Sequence, residues 1–155
     1  MVIKNLLYGL FLVVSFHVTS ILAMEVAPSV NRLIEIEDRD KDDLIVSEVS
    51  GDYVEKVHIV RCPNLIRFYI RECTRLNSVD LSYCPKLEHV IIDSADMIET
   101  ILFVGCKGLA LEVIDGIMQV CRKLKSIDLN GIPLNSEQIA YLREKYRERG
   151  STIIL

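Results

Sequence analysis

Four of the five cysteines have a spacing that could support disulfide bonds or a metal site. Cys62, Cys73, Cys84 and Cys106 fall into one column with a period of eleven residues, in which Ala95 takes the remaining place. On stacked turns of a repeat, every second cysteine would lie about 5 Å from the next, within the Cα separation that a disulfide spans. Alanine, however, can replace neither a bridge nor a metal ligand, and no Cys-x-x-Cys pair occurs. We therefore expect thiols buried as small hydrophobic groups beside the turn backbone, with disulfides as the alternative.

Two other groups of residues have the types used in binding or catalysis. Acidic residues alternate in 38–43 as in a calcium loop, but Asp43 stands where glycine is needed and Val49 where glutamate is expected. His58 and His89 are accompanied by no nucleophile motif. We expect a solvated turn at 38–43, histidines at solvent-facing strand positions, no metal or other cofactor, and no enzymatic activity.

Apolar residues recur every eleven positions through the middle of the chain, which indicates a repeat. Within each unit two apolar residues are separated by one position, as in Val57 and Ile59, which is the spacing of a strand. Pro63 and Pro85 would also break a helix. The pattern therefore predicts short strands joined by turns. The leading column consists of Val57, Phe68, Val79, Val90 and Ile101.

Alternate units differ, which makes the full repeat twenty-two residues long. The turns that begin at Cys62 and Cys84 contain proline, whereas those at Cys73 and Ala95 do not. Each coil then carries strands on two opposite sides. The strands of the first side form one predicted six-stranded parallel sheet, and right-handed crossovers are expected between them. Its apolar pairs are Ile34/Ile36, Val57/Ile59, Val79/Leu81, Ile101/Phe103, Ile127/Leu129 and Ile153/Leu155.

The last two intervals between these strands lengthen to twenty-six residues, and the segments on the far side change character. Residues 110–121 and 136–149 show apolar spacings of three and four, which predict amphipathic helices. Asn135 or Ser136 is a suitable N-cap for the second helix, and Gly150 stands where a C-cap glycine belongs. We expect short strands on the back of the middle coils and helices on the back of the C-terminal coils.

Three segments resemble the core of leucine-rich repeats, particularly the cysteine-containing kind. They are Leu65-x-x-Phe68-x-Ile70-x-x-Cys73, Leu76-x-x-Val79-x-Leu81-x-x-Cys84 and Leu124-x-x-Ile127-x-Leu129. The resemblance covers about residues 30–155 and implies an α/β fold, a right-handed leucine-rich-repeat solenoid, that binds proteins. Such repeats occur in ubiquitin-ligase adaptors and resemble segments of plant immune receptors. A substrate-recognition adaptor or effector in a ubiquitin-ligase-like complex is therefore the alternative function.

The N-terminus is typical of a secretory signal peptide. Lys4 supplies the positive region, residues 6–14 are apolar, and Ala23 is the small residue at the expected cleavage point. We predict a signal peptide at 1–23 and a mature leucine-rich-repeat domain at 24–155, secreted or periplasmic. Left uncleaved, the segment would anchor the protein in a membrane.

The charge of the predicted mature chain argues against polyanionic partners. The full chain has 18 Lys and Arg and 22 Asp and Glu. Removal of Lys4 leaves 17 basic against the same 22 acidic side chains, a formal charge of −5. We therefore expect neither nucleic acid nor, after cleavage, a membrane as partner.

Strand alternation predicts where a protein partner would bind. Val60, Leu102 and Val104 would form an apolar centre with a polar rim, the usual anatomy of a contact patch. The predicted partner-binding residues are His58, Val60, Asp80, Ser82, Leu102, Val104, Asp128 and Asn130. A weaker candidate on the opposite side comprises Tyr69, Arg71, Ile91 and Asp93. The uncapped strand at 153–155 could also pair with a second copy of the chain.

Overall fold

Strands alternate along the chain between two parallel sheets in a computed structural model that describes residues 21–25, 33–37 and 46–155. The predicted acidic turn at 38–43 lies outside these residues. The front sheet contains β2 (Leu33–Glu37), β4 (Lys56–Val60), β6 (Ser78–Asp80), β8 (Thr100–Leu102), β9 (Ser126–Asp128) and β10 (Thr152–Ile154). The back sheet contains β1 (Ile21–Glu25), β3 (Val46–Ser50), β5 (Arg67–Arg71) and β7 (His89–Asp93). Helices α1 (Leu111–Val120) and α2 (Ser136–Tyr146) follow the back strands.

The front sheet has the six parallel strands and the register that the apolar pairs predict. Phe68 lies in the back sheet and Val79 in the front sheet, so neighbouring strands of one sheet come from alternate eleven-residue units. The inward side chains of the front sheet form one continuous column of the core. Because neighbouring members of this column come from alternate units, the same apolar position recurs in every second unit of the sequence. The paired residues run Ile34, Val57, Val79, Ile101, Ile127 and Ile153.

The back side changes from strands to helices where the intervals lengthen. Helix α1 buries Ile114, Ile117 and Met118. Helix α2 begins with a capping box, in which the Asn135 side chain accepts from the Gln138 N–H and the Gln138 side chain accepts from the Asn135 N–H, both at 2.9 Å. A 3₁₀ turn at Arg147–Arg149 follows α2 and ends at Gly150 with φ 67°. Both predicted helices are therefore confirmed, as is the α/β class.

Strand β1 was not expected from the sequence. It pairs in parallel with β3, so that Met24 lies beside Val49 and Glu25 beside Ser50. Its first three residues belong to the predicted signal peptide, in which no strand was predicted. Cleavage after Ala23 would leave two residues of β1 in place.

A left-handed residue precedes the inward cysteine, or Ala95 in its place, at each middle corner. On the front side these residues are Arg61 (φ 54°), Tyr83 (φ 60°) and Gly105 (φ 71°), and on the back side Glu72 (φ 54°) and Ser94 (φ 58°). The positive φ reverses the chain direction, so the next side chain points into the core. A residue other than glycine held there costs on the order of 1 kcal/mol, which buried packing has to offset.

The five cysteines are free and buried, as the packing interpretation predicts. Two thiols donate to backbone carbonyls of the preceding repeat, Cys106 to Leu81 O at 3.0 Å and Cys84 to Ile59 O at 3.7 Å, whereas Cys62 donates to Val60 O of its own corner at 3.5 Å. Burial raises the pKa of Cys106 to about 11. The Cys84 pKa is also raised, first by a hydrogen bond with the Cys62 side chain and then by burial. The cysteine column thus fills the corners and satisfies their carbonyl groups.

A partly buried carboxylate joins the two helices. The Asp115 side chain, 16% exposed, accepts from Lys145 Nζ at 2.8 Å, Tyr146 OH at 2.8 Å and Gln119 Nε2 at 2.7 Å. Partial removal from water raises the pKa of Asp115, but the hydrogen bonds from Lys145 and Tyr146 outweigh it and hold this pKa below its usual range. Tyr146 is only 2% exposed, and burial followed by the bond to Asp115 raises its pKa to about 12. This contact docks α2 on α1.

Replacing Tyr146→Phe should lower the free energy of unfolding by about 1–2 kcal/mol, because the ring keeps its packing while Asp115 loses a buried donor. The matched control is Tyr83→Phe, which lies outside this cluster, has a side chain 57% exposed, and should change stability by less than about 0.5 kcal/mol. Urea unfolding followed by circular dichroism measures both. Equal losses in the two variants would contradict the assigned role of Asp115.

Stability should fall in alkaline solution because the folded chain holds thiol protons that the unfolded chain releases. Burial raises the pKa of Cys73 and Cys106 from 9.0 to about 11. Their contribution is complete below pH 9 and is lost as pH rises towards about 11. Urea midpoints at pH 8 and pH 11 should therefore differ less for the double variant Cys73→Ala with Cys106→Ala than for the unmodified protein. A difference of the same size in both proteins would show that these thiols do not contribute.

Candidate partner-binding face

The outward side of the front sheet, which we call the front face, carries the predicted partner-binding residues in two rows. The strand register places His58, Asp80, Leu102 and Asp128 side by side on successive strands. The second row lies two residues further on, where backbone hydrogen bonds continue beyond the strand ends. It consists of Val60, Ser82, Val104 and Asn130. All eight predicted partner-binding residues therefore occupy one region.

His58 and Asp80 form a cross-strand pair on this face. Nδ1 of His58 lies 3.1 Å from Oδ2 of Asp80, and their side chains are 32% and 18% exposed. Oδ1 of Asp80 accepts the backbone N–H of Ser82 at 3.0 Å. Both carboxylate oxygens thus bind groups of the fold, and the contact at Nδ1 fixes the orientation of the imidazole. The pair is a rigid polar feature at one side of the face.

Asp128 repeats this local arrangement two front strands further along. Its Oδ1 accepts the backbone N–H of Asn130 at 3.0 Å and the Asn130 side-chain amide at 2.9 Å. Aspartate side chains that accept an N–H two residues on stabilise turns. The sequence signal is Asp-Leu-Ser at 80–82 and Asp-Leu-Asn at 128–130. These acidic groups are therefore held in fixed positions on both sides of Leu102.

The expectation that Val60 is exposed is wrong, because its relative exposure is only 5%. Val60 pairs with Glu37 on one side, and on the other the N–H of Arg61 donates to Ser82 O at 3.0 Å, which draws the next corner close. A short branched side chain flanked on both sides has little surface left. Ser82, expected on the rim, is also buried at 6% exposure. The apolar centre is reduced to Leu102 and Val104, which are half-buried.

A third row of the front face was missed by the sequence reasoning. Counting back two residues from the His58 row gives side chains on the same face of each strand, a signal that the alternation already contained. From β4 to β10 this row carries small hydroxyl groups beside one lysine, whereas its member on β2, Leu33, is apolar and 45% exposed. Its residues from β4 to β10 are Lys56, Ser78, Thr100, Ser126 and Thr152.

The weaker candidate on the back sheet is joined by cross-strand contacts. Arg71 Nη1 lies 3.6 Å from Glu48 Oε1, and its guanidinium is 5.4 Å from the centre of the Tyr69 ring. Ile91 pairs with Tyr69 and is 48% exposed, while Asp93 is exposed at the end of β7. This surface is therefore charged in its middle and apolar only near its outer strand.

Among residues 21–25, 33–37 and 46–155, no three histidine, cysteine or acidic side chains are placed to hold a metal ion. Neither described helix has the length and apolar character needed to cross a bilayer. Since no family model, no curated protein and no solved structure matches the chain, the functional argument depends on the front face itself.

Proposed function

We propose that the chain is an exported, non-catalytic protein-binding module that winds as a right-handed leucine-rich-repeat solenoid and presents its front face to a partner protein. The parallel register and the alternation of strands between two sheets support the winding. The observation that carries the binding role is the position of Leu102 and Val104. They lie half-exposed in the rows between Asp80 and Asp128, with which they form an apolar centre and an acidic rim.

Binding would depend on rigid presentation of these groups. Parallel strands hold the rows about 4.8 Å apart, and the bonds made by Asp80 and Asp128 fix the acidic groups before a partner arrives. Little side-chain entropy is then lost on association. The complementary surface would offer an apolar group to Leu102 and Val104, flanked by hydrogen-bond donors or basic side chains.

The proposal assigns no catalytic role to His58 and Asp80. A histidine oriented by a carboxylate is one element of a proton-transfer site, but here the same carboxylate also accepts the Ser82 N–H. Because the Asp80 carboxylate binds both groups, it acts as a structural contact between β4 and β6. The pair would instead supply polar specificity at the rim.

A second contact in this proposal joins copies of the chain through β10. This strand is the last in the order of the front sheet, and it carries Ile154 at 40% exposure. Leu155 beside it is 36% exposed. An apolar edge strand of this kind pairs readily with another strand.

The variant with Leu102→Ser and Val104→Ser should bind a captured partner protein roughly tenfold or more weakly, since two lost aliphatic contacts cost about 1.5–3 kcal/mol. Its far-UV circular dichroism should stay unchanged because both side chains are half-exposed. The matched control is Met97→Ser, an apolar residue that is 40% exposed in the turn between β7 and β8. Surface plasmon resonance with the isolated partner compares the three proteins. If the double variant binds the partner as tightly as the unmodified protein, the front face is not the binding site.

Export predicts a mature protein that begins at Met24, because the expected signal peptide ends at Ala23. Intact-mass spectrometry of protein recovered from its natural source measures this directly. The measured mass is compared with the mass calculated for the full chain. Retention of residues 1–23 would argue against export with cleavage and in favour of the adaptor or effector alternative.

A further inference from the structure

The row of the front face that contains Leu102 alternates between acidic and apolar side chains over its last four strands. In register, Asp80 on β6 is followed by Leu102 on β8, Asp128 on β9 and Ile154 on β10. Neighbouring strands lie about 4.8 Å apart, so side chains of the same kind, two strands apart, repeat at about 10 Å. A partner that contacts all four positions must carry its own basic and apolar groups at this interval.

An α-helix that lies across the strands has this interval. Because a helix rises about 1.5 Å per residue, groups at positions i and i+7 lie about 10 Å apart along its axis. Residues at i+3 and i+4 fall between them on the same face of the helix. One heptad of an amphipathic helix therefore spans the same distance as two strand spacings of the front sheet.

The width of the apolar centre favours a helix over an extended segment. Leu102 and Val104 are both half-exposed, and they lie about 7 Å apart along the direction of β8. Consecutive apolar residues at i+3 and i+4 of a helix point to the two sides of its contact stripe, and a helix is about 10 Å wide, so it covers both rows. An extended segment that crosses the sheet directs alternate side chains downwards in a single line, so it covers one row.

Asp128 has a carboxylate oxygen available for a partner. Its Oδ1 accepts both donors of Asn130, at 3.0 and 2.9 Å, whereas no group of the described residues donates a hydrogen bond to its Oδ2. Asp80 uses both oxygens, for His58 and for the Ser82 N–H, although its side chain remains 18% exposed. Asp128 is therefore the stronger acceptor for a cation of the partner.

Basic side chains of the protein do not neutralise this part of the front face. The outward residues of the third row on β6, β8, β9 and β10 carry only hydroxyl groups. Lys56, the lysine of that row, lies on β4, outside these four strands. Lys125, just before β9, pairs with Glu99 at 2.7 Å. The surface between Asp80 and Ile154 is therefore acidic and apolar, and it complements a segment that is basic and apolar.

We propose that the front face binds a basic amphipathic helix of the partner protein, which lies across β6, β8, β9 and β10. Lysine or arginine at i and i+7 would face Asp80 and Asp128, and apolar residues at i+3 and i+4 would cover Leu102 and Val104. The next apolar pair, at i+10 and i+11, would reach Ile154. Helices that bind in this way are recognised through the apolar residues of one face. The inference rests on the proposed binding role of the front face and names the partner's structure and charge.

The first experiment titrates the ¹⁵N-labelled full chain with the synthetic peptide acetyl-AKAQLLAQKAQLLAQA-amide, which has lysine and leucine at these helical positions. The amide signals of residues 102–104 and 126–130 should shift. The peptide should become more helical on binding, because an isolated helix of this length is marginal in water. No binding, binding without a gain in helix, or shifts confined to other parts of the chain would overturn the proposal.

The matched control is the peptide acetyl-AQAKLLAQQAKLLAQA-amide, which has the same composition. Its lysines lie on the opposite face of the helix from the leucines, so they cannot reach Asp80 and Asp128 while the leucines contact Leu102. It should bind at least roughly fivefold more weakly than the first peptide. Equal affinity of the two peptides would contradict the proposed pairing of charges.

The second experiment changes the protein side of one charge pair. Asp128→Asn removes the charge but keeps an oxygen that accepts the Asn130 N–H, and it should weaken binding of the lysine peptide roughly threefold. The matched control is Asp96→Asn, an exposed acid in the turn between β7 and β8, which should leave binding within about twofold. A peptide with glutamine in place of both lysines should bind the Asp128→Asn and unmodified proteins equally. An equal loss with both peptides would show that Asp128 does not meet a lysine.

The double variant Leu102→Ser with Val104→Ser separates this inference from the proposed function. If it loses the isolated partner protein while the unmodified chain does not bind the lysine peptide, the front face is a binding site but not for this helix. If it retains both the partner and the peptide, both proposals are wrong. Loss of both ligands, with an unchanged far-UV spectrum, is the result expected from the proposal.

Discussion

Backbone pairing between strands that lie about two units apart in the chain is the constraint on which the rest of the structure depends. Each front strand accepts and donates hydrogen bonds to the strand of the preceding repeat, so the position of one strand determines that of the next. The core columns, the corner thiols and the rows of the front face all follow from this register. A slip of one residue would turn Val79 outwards and Asp80 inwards, which the buried core does not tolerate.

The same constraint explains which groups are available for recognition. Inside the sheets every strand has neighbours on two sides, so its backbone is used and only its outward side chains can contact a partner. At β7 the back sheet ends, and α1 packs beside this last strand. The front face therefore offers side chains on a rigid surface.

Much of this arrangement could be predicted from periodicity, and the remainder depends on neighbours that periodicity does not describe. The spacing of Val57, Val79 and Ile101 predicted the front-sheet register because inward positions repeat with the backbone. The same alternation placed Val60 outward but could not show that β2 and the corner at Ser82 enclose it. Strand β1 was missed because its first three residues lie within the segment that predicts a signal peptide.

The change from strand to helix behind the front sheet also has a consequence for shape. A helix with its side chains is about 10 Å wide, whereas neighbouring strands lie about 4.8 Å apart. In a solenoid wound as proposed, the back would therefore take more width per repeat from α1 onwards than at β5 and β7, and the front would curve inwards there. Leu102 lies on β8, the last front strand before α1. At the start of such a curve it would meet the most protruding part of a convex partner.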